Sequence, residues 1–260
     1  MIDLGLSPPS NALMLTKDLE QSYFPLRVFV CESCWLVQTE DFHSSSDLFD
    51  QNYPYLSGYS SIWQIHCETF VQKMVNDFSL SSDSRIIEVA SNDGTLLDLF
   101  RQFGSTCLGI EPTPAAAAIA RRKGLEVSEN FLDLHLSEQI SEEFGKVDFL
   151  IANNVLAHVP DINSFVKACA NLLLEDGVAT FEFQYLPRLV ENYLFDTIYH
   201  EHFSYLSLYA VERIFYASGL EIFDTEEIPT HGGSLRVFSQ LLGKGGNSKS
   251  RRMKSVHEYE

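Results

Sequence analysis

Two histidines, one glutamate and two tyrosines fall within seven positions, Tyr199-His200-Glu201-His202-Phe203-Ser204-Tyr205. Groups that gain or lose a proton near neutral pH, packed that densely, point to general acid–base work. His202, with an ordinary imidazole pKa of about 6.5, is the best candidate base. Glu201 can orient or polarise it, although adjacent residues on an extended segment project to opposite sides. Tyr199, three positions earlier, shares a pocket with His202 if the segment turns. Two other readings stay open. His200 and His202 alternate as ligands on a strand do, but without His-Glu-x-x-His spacing or an obvious third ligand. The stretch also reads as a polar, aromatic-rich loop with no chemistry.

A second constellation has the character of a cofactor loop. The run Glu88-Val89-Ala90-Ser91-Asn92-Asp93-Gly94-Thr95 passes from an apolar strand through a glycine turn. Glu111 follows 17 residues beyond Gly94, about the distance at which an acidic side chain meets ribose hydroxyls. Ala90 and Asn92 stand where a dinucleotide fold wants glycines, and Asp93 repels phosphate. A ligand with a ribose and no phosphate fits better, and S-adenosylmethionine is one; a plain strand–turn–helix is the alternative. Further on, Asn153 and Asn154 follow an apolar strand directly, at the ligand edge. His158 beyond them reads equally as a hydrogen bonder and as a catalyst.

These groups need a scaffold, and hydropathy supplies it. After the Ser/Asp stretch at 79–84, predicted strands at Arg85–Ala90, Thr106–Ile110, Val147–Ala152 and Val178–Phe183 alternate with predicted helices at Leu96–Phe103, Pro114–Lys123 and Ile162–Leu174. A helix over Tyr209–Ser218 and strands over Leu220–Asp224 and Ser234–Leu241 close the series. Alternation of this kind argues an α/β parallel sheet with helices on both faces, and the helix-free final pair an antiparallel edge. This is a Rossmann-like sheet in its methyltransferase variant, with ligands at the carboxyl ends of the strands. Upstream, apolar positions from Ile62 to Val75 fit a helix, Leu26–Val30 a strand, and Cys31 and Cys34 form a C-x-x-C pair.

Composition narrows the partners. The 260 residues carry 36 Asp plus Glu against 18 Lys plus Arg, a net charge of -18. Such a surface repels phosphate backbones and anionic lipid heads, so nucleic acid and membranes are not expected as partners. No apolar run approaches the roughly 20 residues of a membrane-spanning helix, and the first residues lack the pattern of a secretory signal. Five scattered cysteines suit a reducing cytoplasm better than a disulfide scaffold. The stretch from Lys244 to Glu260 holds five basic side chains and little that is apolar, and is read as a disordered, solvated tail.

The strings EVASNDGTLL, LGIEP, ANNVLAHVPDINSF, FDTIYHEHFSY and THGGSLRV, in that order, resemble the sugar-nucleotide C-methyltransferases, which methylate a carbon beside the ketone of a dTDP-4-keto sugar. The resemblance runs from about Asp3 to Phe238. It implies a C-methyltransferase acting through an enolate, S-adenosylmethionine as cofactor, and a nucleotide-linked deoxysugar as substrate. Site residues carry over one at a time: Asn92, Asp93, Gly94, Glu111 and Asn153 to the cofactor, with Tyr53 or Tyr59 from a tyrosine-rich stretch closing over it. Asn154, His158, Tyr199, Glu201 and His202 carry over to the catalytic cluster, with Tyr199 and His158 both suited to donate to the enolate or reprotonate it. The family also implies a four-cysteine zinc module and a third, nucleotide-holding part. Cys31 and Cys34 match only the second pair of that module, with His43 as a speculative third ligand, so an incomplete zinc site is expected. The parts implied are a zinc-ribbon-like remnant at 1–50, a helical connector or lid at 51–84, the methyltransferase domain at 85–243 and the tail at 244–260. A non-catalytic binding remnant and an O- or N-methyltransferase are the rival readings; oligomeric state is not legible.

Overall fold

The computed structural model describes residues 2–11, 21–42, 48–49 and 56–260; Tyr53 and His43 lie outside them. Three strands open the chain: β1 (Ile2–Ser7), β2 (Phe24–Val30) and β3 (Val37–Thr39). Helix α1 (Ser61–Asp77) follows. It buries Cys67, Phe70, Val71 and Met74, spaced three and four apart, against a cluster with Phe149 and Phe238. Then come β4 (Arg85–Val89), α2 (Thr95–Gln102), β5 (Thr106–Ile110), α3 (Pro114–Arg122), β6 (Glu126–Ser128), α4 (Leu134–Glu143), β7 (Val147–Asn153), α5 (Ile162–Leu172) and β8 (Leu173–Gln184). Helix α6 (Leu186–Glu191), β9 (Ser204–Tyr205), α7 (Leu208–Ala217), β10 (Leu220–Ile228), β11 (Ser234–Leu241) and α8 (Arg251–Tyr259) complete the chain.

Seven strands form the main sheet in the order β10-β11-β8-β7-β4-β5-β6. Pairs from β6 to β8 are parallel, and β11 runs antiparallel between β8 and β10. The chain leaves β4 in one direction through β5 and β6 and returns to its other side through β7 and β8, so the switch point lies between β4 and β7. Strands β4 and β7 are almost wholly buried, as a sheet covered on both faces requires. A second sheet, β1-β2-β3-β9, joins the amino-terminal strands to the segment after α6.

Two departures from expectation have physical causes. The short β6 and the helix α4 were not predicted; three strand residues give too little alternation to read, whereas Asp133, whose side chain caps α4 at Leu136 N, is a usable start signal. The tail is a correction. Instead of being disordered, residues 251–259 form α8, capped by Ser250 at Met253 N, with Met253 and Val256 buried. The Glu260 carboxylate accepts from the N–H groups of Leu208 and Tyr209 at the start of α7, where the helix dipole favours a negative charge. Counting charges over the whole stretch hid two apolar residues three apart on one face.

Candidate active site

The loop after β4 is shaped by backbone conformations that L-residues rarely adopt. Ala90 (φ 56°) and Asn92 (φ 50°) are both left-handed; the two positions where a dinucleotide fold places glycine keep glycine's conformation without its residue. Gly94 (φ 74°) is required twice over, since a Cβ there meets Leu125 Cδ1 at 2.3 Å. The Glu111 carboxylate accepts from Asn92 N at 2.8 Å and Thr113 N at 2.7 Å, fixing the end of β5 against this loop. Burial raises its pKa, offset by these donors. Each carboxylate oxygen has a second lone pair for a ribose hydroxyl.

A cavity of about 1050 Å³ opens along the carboxyl ends of β4, β5, β7 and β8. Asn92, Glu111, Asn153, Asn154 and His158 line it, together with Tyr199, Glu201 and His202. The cofactor loop and the acid–base segment, predicted independently, therefore face one space. Three buried polar atoms on its lining residues have no partner among the described residues: Glu88 Oε2, Ser91 Oγ and Asn153 Oδ1. Orphaned polar atoms beside the Glu111 carboxylate suit a ligand with several donors and a positive charge. Glu88 was not predicted, although an acid inside the apolar strand Arg85-Ile86-Ile87-Glu88-Val89 was a usable signal. Burial, then the neighbouring Asp93, pushes its pKa well above the usual range.

The acid–base segment is a turn: His202 N donates to Tyr199 O at 3.0 Å, which brings the two rings to 4.1 Å. His202 Nδ1 lies 2.8 Å from the Thr197 carbonyl, which can only accept, so Nδ1 carries the hydrogen. Nε2 then holds the lone pair and accepts from the Tyr199 hydroxyl at 2.9 Å. His158 is oriented the same way, Nδ1 donating to Glu201 O at 2.9 Å, with its ring 4.7 Å from that of His202. Burial pulls the pKa of His158 down to about 4, and burial together with His158 pulls His202 down to about 3. Burial pushes Tyr199 up to about 12. These shifts keep His158, His202 and Tyr199 neutral near pH 7, and the Glu201 carboxylate beside them accepts from Ser10 and Asn11.

Several predicted residues stand elsewhere. Asp93 and Gly94 do not line the cavity. The Asp93 carboxylate accepts from Thr95 N, Thr95 Oγ1 and Gly58 N, so it builds the loop and does not face ligand. Tyr59 is 83% exposed and off the lining. His200 turns away to Pro25 O at 3.1 Å, between Phe24 and Phe42, which separates it from His202 and removes the two-histidine metal reading. Cys31 and Cys34 share a turn in which backbone donors from Cys34 and Ser33 lower the Cys31 thiol pKa. Among the described residues no third His, Cys, Asp or Glu joins them, so these residues do not fit a closed zinc site. Also unpredicted were the 130–133 loop after β6, the first residues of α4 (Leu134 and His135) and His231 (φ 52°) as cavity walls.

Sheet order and switch point define the class I methyltransferase fold, with the Glu111 carboxylate at the end of the second parallel strand. Family comparison agrees: residues 63–225 match a methyltransferase domain and residues 1–49 a putative zinc binding domain. The chain belongs to the S-adenosylmethionine-dependent methyltransferase family. It is 32% identical to the C-methyltransferase NovU of Streptomyces niveus over 92% of its length and 57% of that relative's. A ubiquinone biosynthesis O-methyltransferase of Bordetella avium is 32% identical over 45% of this chain and 49% of its own. Among solved structures, the magnesium protoporphyrin IX methyltransferase of Synechocystis PCC 6803 with bound S-adenosylmethionine shares the fold, with TM-score 0.50 and 17% identity over 68% of this chain and 78% of its own. A methyltransferase from Clostridium acetobutylicum gives 0.55 and 13% over 70% and 92%. The chain thus spans about half the length of the curated relatives it matches.

Proposed function

We propose that this protein transfers a methyl group from S-adenosylmethionine to a carbon beside the ketone of a deoxysugar, through an enolate. One observation carries the reading: the Tyr199–His202 pair faces the same cavity as the Asn92–Glu111 loop. Glu111 would hold the ribose, Asn153 the cofactor's donors, and Glu88 the positive end. When bound, S-adenosylmethionine supplies an electrophilic methyl and leaves as a thioether.

Removing a proton beside a ketone needs a neutral base and a donor for the oxygen that becomes negative. His202 Nε2 is that base, held in the right tautomer by Thr197 O. As it takes the proton, the Tyr199 hydroxyl is freed to hydrogen-bond the enolate oxygen. His158, Nδ1 already donating to Glu201 O, offers its other nitrogen to the same space. Burial opposes imidazolium; a nascent enolate nearby reverses that penalty, so base strength arises where charge develops. None of the described lining residues is Lys or Arg. The cavity suits the keto-sugar end, and a nucleotide diphosphate gains no ion pair from these residues. Supporting the carbon acceptor are the NovU similarity across 92% of the chain and the FDTIYHEHFSY string.

The test is calorimetry with S-adenosylmethionine, then turnover of its ¹³C-methyl form with a dTDP-4-keto-6-deoxysugar. A new carbon–carbon methyl signal is expected. A methyl found on oxygen or nitrogen overturns the carbon reading, and binding without turnover favours a non-catalytic remnant.

A further inference from the structure

The amino-terminal sheet is fastened to the acid–base segment rather than hung beside it. Strand β3 pairs with β9 through Val37↔Tyr205 and Gln38↔Ser204. Thr39 Oγ1 donates to His202 O at 2.9 Å, and Thr39 N to Phe203 O at 3.1 Å. After β1, the rigid pair Pro8-Pro9 leads to Ser10 and Asn11, and Asn11 lines the cavity. There Asn11 Nδ2 donates to Glu201 Oε1 at 2.7 Å and Oε2 at 2.8 Å, and Ser10 Oγ donates to Oε1 at 2.8 Å. Glu201 is 2% exposed and lines the cavity, as does Asn11. Among the described residues its carboxylate has no cationic partner; two neutral side chains from a segment 190 positions away hold it.

We propose that Asn11 is a positioning residue that fixes the direction of the Glu201 carboxylate, making the amino-terminal module part of the methyl-transfer site independently of zinc. Oε1 takes two of the donors and Oε2 one, so Oε2 keeps acceptor capacity for a hydroxyl of the bound acceptor. A buried carboxylate without these donors would turn toward any other donor or become unsatisfied, and either outcome disturbs the Glu201 backbone that His158 reads. The functional part of this inference rests on the proposed C-methylation; the contact itself does not.

Two cycles test it, both on the full chain. Unfolding midpoints in urea are measured for Asn11→Asp, Glu201→Gln and the double variant. Asn11→Asp sets two carboxylates together and should lower the midpoint most, whereas Asn11→Asp/Glu201→Gln rebuilds a donor–acceptor pair and should recover most of the loss. Methyl transfer to the dTDP-4-keto-6-deoxysugar is then followed for Asn11→Ala, Glu201→Gln and their double. Asn11→Ala should lower kcat by about 100-fold, the scale of a misplaced group, with S-adenosylmethionine affinity within about 3-fold and no further loss in the Glu201→Gln background. Additive midpoints overturn the contact. Additive kcat losses, or an Asn11→Ala kcat equal to the parent's, overturn the positioning role. If the parent turns over no probe, the C-methylation reading and with it the positioning role fail, while the midpoint cycle still decides the contact.

Discussion

A buried imidazole is a weak base until a negative charge develops beside it, and that property sets what single-residue experiments should show. His202 and His158 have pKa values of about 3 and 4, so neither protonates on its own between pH 5 and 8. The acid limb of kcat/KM should therefore not fall at the usual pH of about 6.5; a parent profile that inflects there would show the base titrating as an ordinary imidazole. His202→Ala should abolish transfer yet leave S-adenosylmethionine affinity within a few-fold, and Tyr199→Phe should lower kcat more than binding. On the cofactor side, burial and Asp93 raise the Glu88 pKa and so favour its protonated form, whereas a cationic ligand favours the ionised form. Binding of S-adenosylmethionine should then release up to about one proton and tighten as pH rises. Calorimetry in buffers of different ionisation enthalpy measures this; proton-neutral binding would remove Glu88 from the cationic end. Glu111→Ala should weaken binding by roughly 1–3 kcal/mol, the cost of unpaired hydroxyl contacts, and unchanged affinity would exclude it.

At the scale of elements, the parallel sheet was legible because each of β4, β5, β7 and β8 is an apolar run followed by a helix signal. Glu111, Asn153 and His202 were legible because they lie at strand ends or in an acid–base cluster. What escaped depended on chain geometry. Tyr199 and His202 share a pocket through one turn, and His200 leaves it for the same reason; residue spacing alone permitted both arrangements. Asp93 was placed at the cofactor by the family resemblance, yet its oxygens accept from Thr95 and Gly58. Ser10 and Asn11 reach Glu201 across 190 positions, which no local pattern signals. The β4–α2 turn gives the element-scale prediction. Gly94→Ala places a methyl against Leu125 in a left-handed backbone and should destabilise by about 2–4 kcal/mol, combining conformational strain and overpacking. A urea midpoint equal to the parent's would contradict the turn as described.

The whole molecule rests, among the described residues, on three hydrophobic clusters, and the carboxyl-terminal helix contributes Met253 and Val256 to the largest of them. Met253 is 1% exposed within the main cluster, so Met253→Ala should cost about 2–5 kcal/mol; a change within about 0.5 kcal/mol would mean that α8 does not pack in solution. Acid should unfold the protein through its buried imidazoles. Both are held neutral, with folded pKa values below the unfolded value of about 6.5, so the unfolded chain binds more protons once pH drops below that value. Stability should fall as pH goes from about 6.5 toward 4, and the fall should be shallower in His158→Gln. These features all place one neutral acid–base pair beside one acidic cofactor loop, and proton exchange reports on that arrangement without needing methyl transfer. The direct measurement is exchange at the carbon beside the ketone of a dTDP-4-keto-6-deoxysugar, followed by NMR in D₂O with S-adenosylhomocysteine filling the cofactor site. The parent should exchange that proton for deuterium and His202→Ala should not; exchange at the parent rate in His202→Ala, or a parent that methylates the sugar without exchange, would contradict an enolate made by His202.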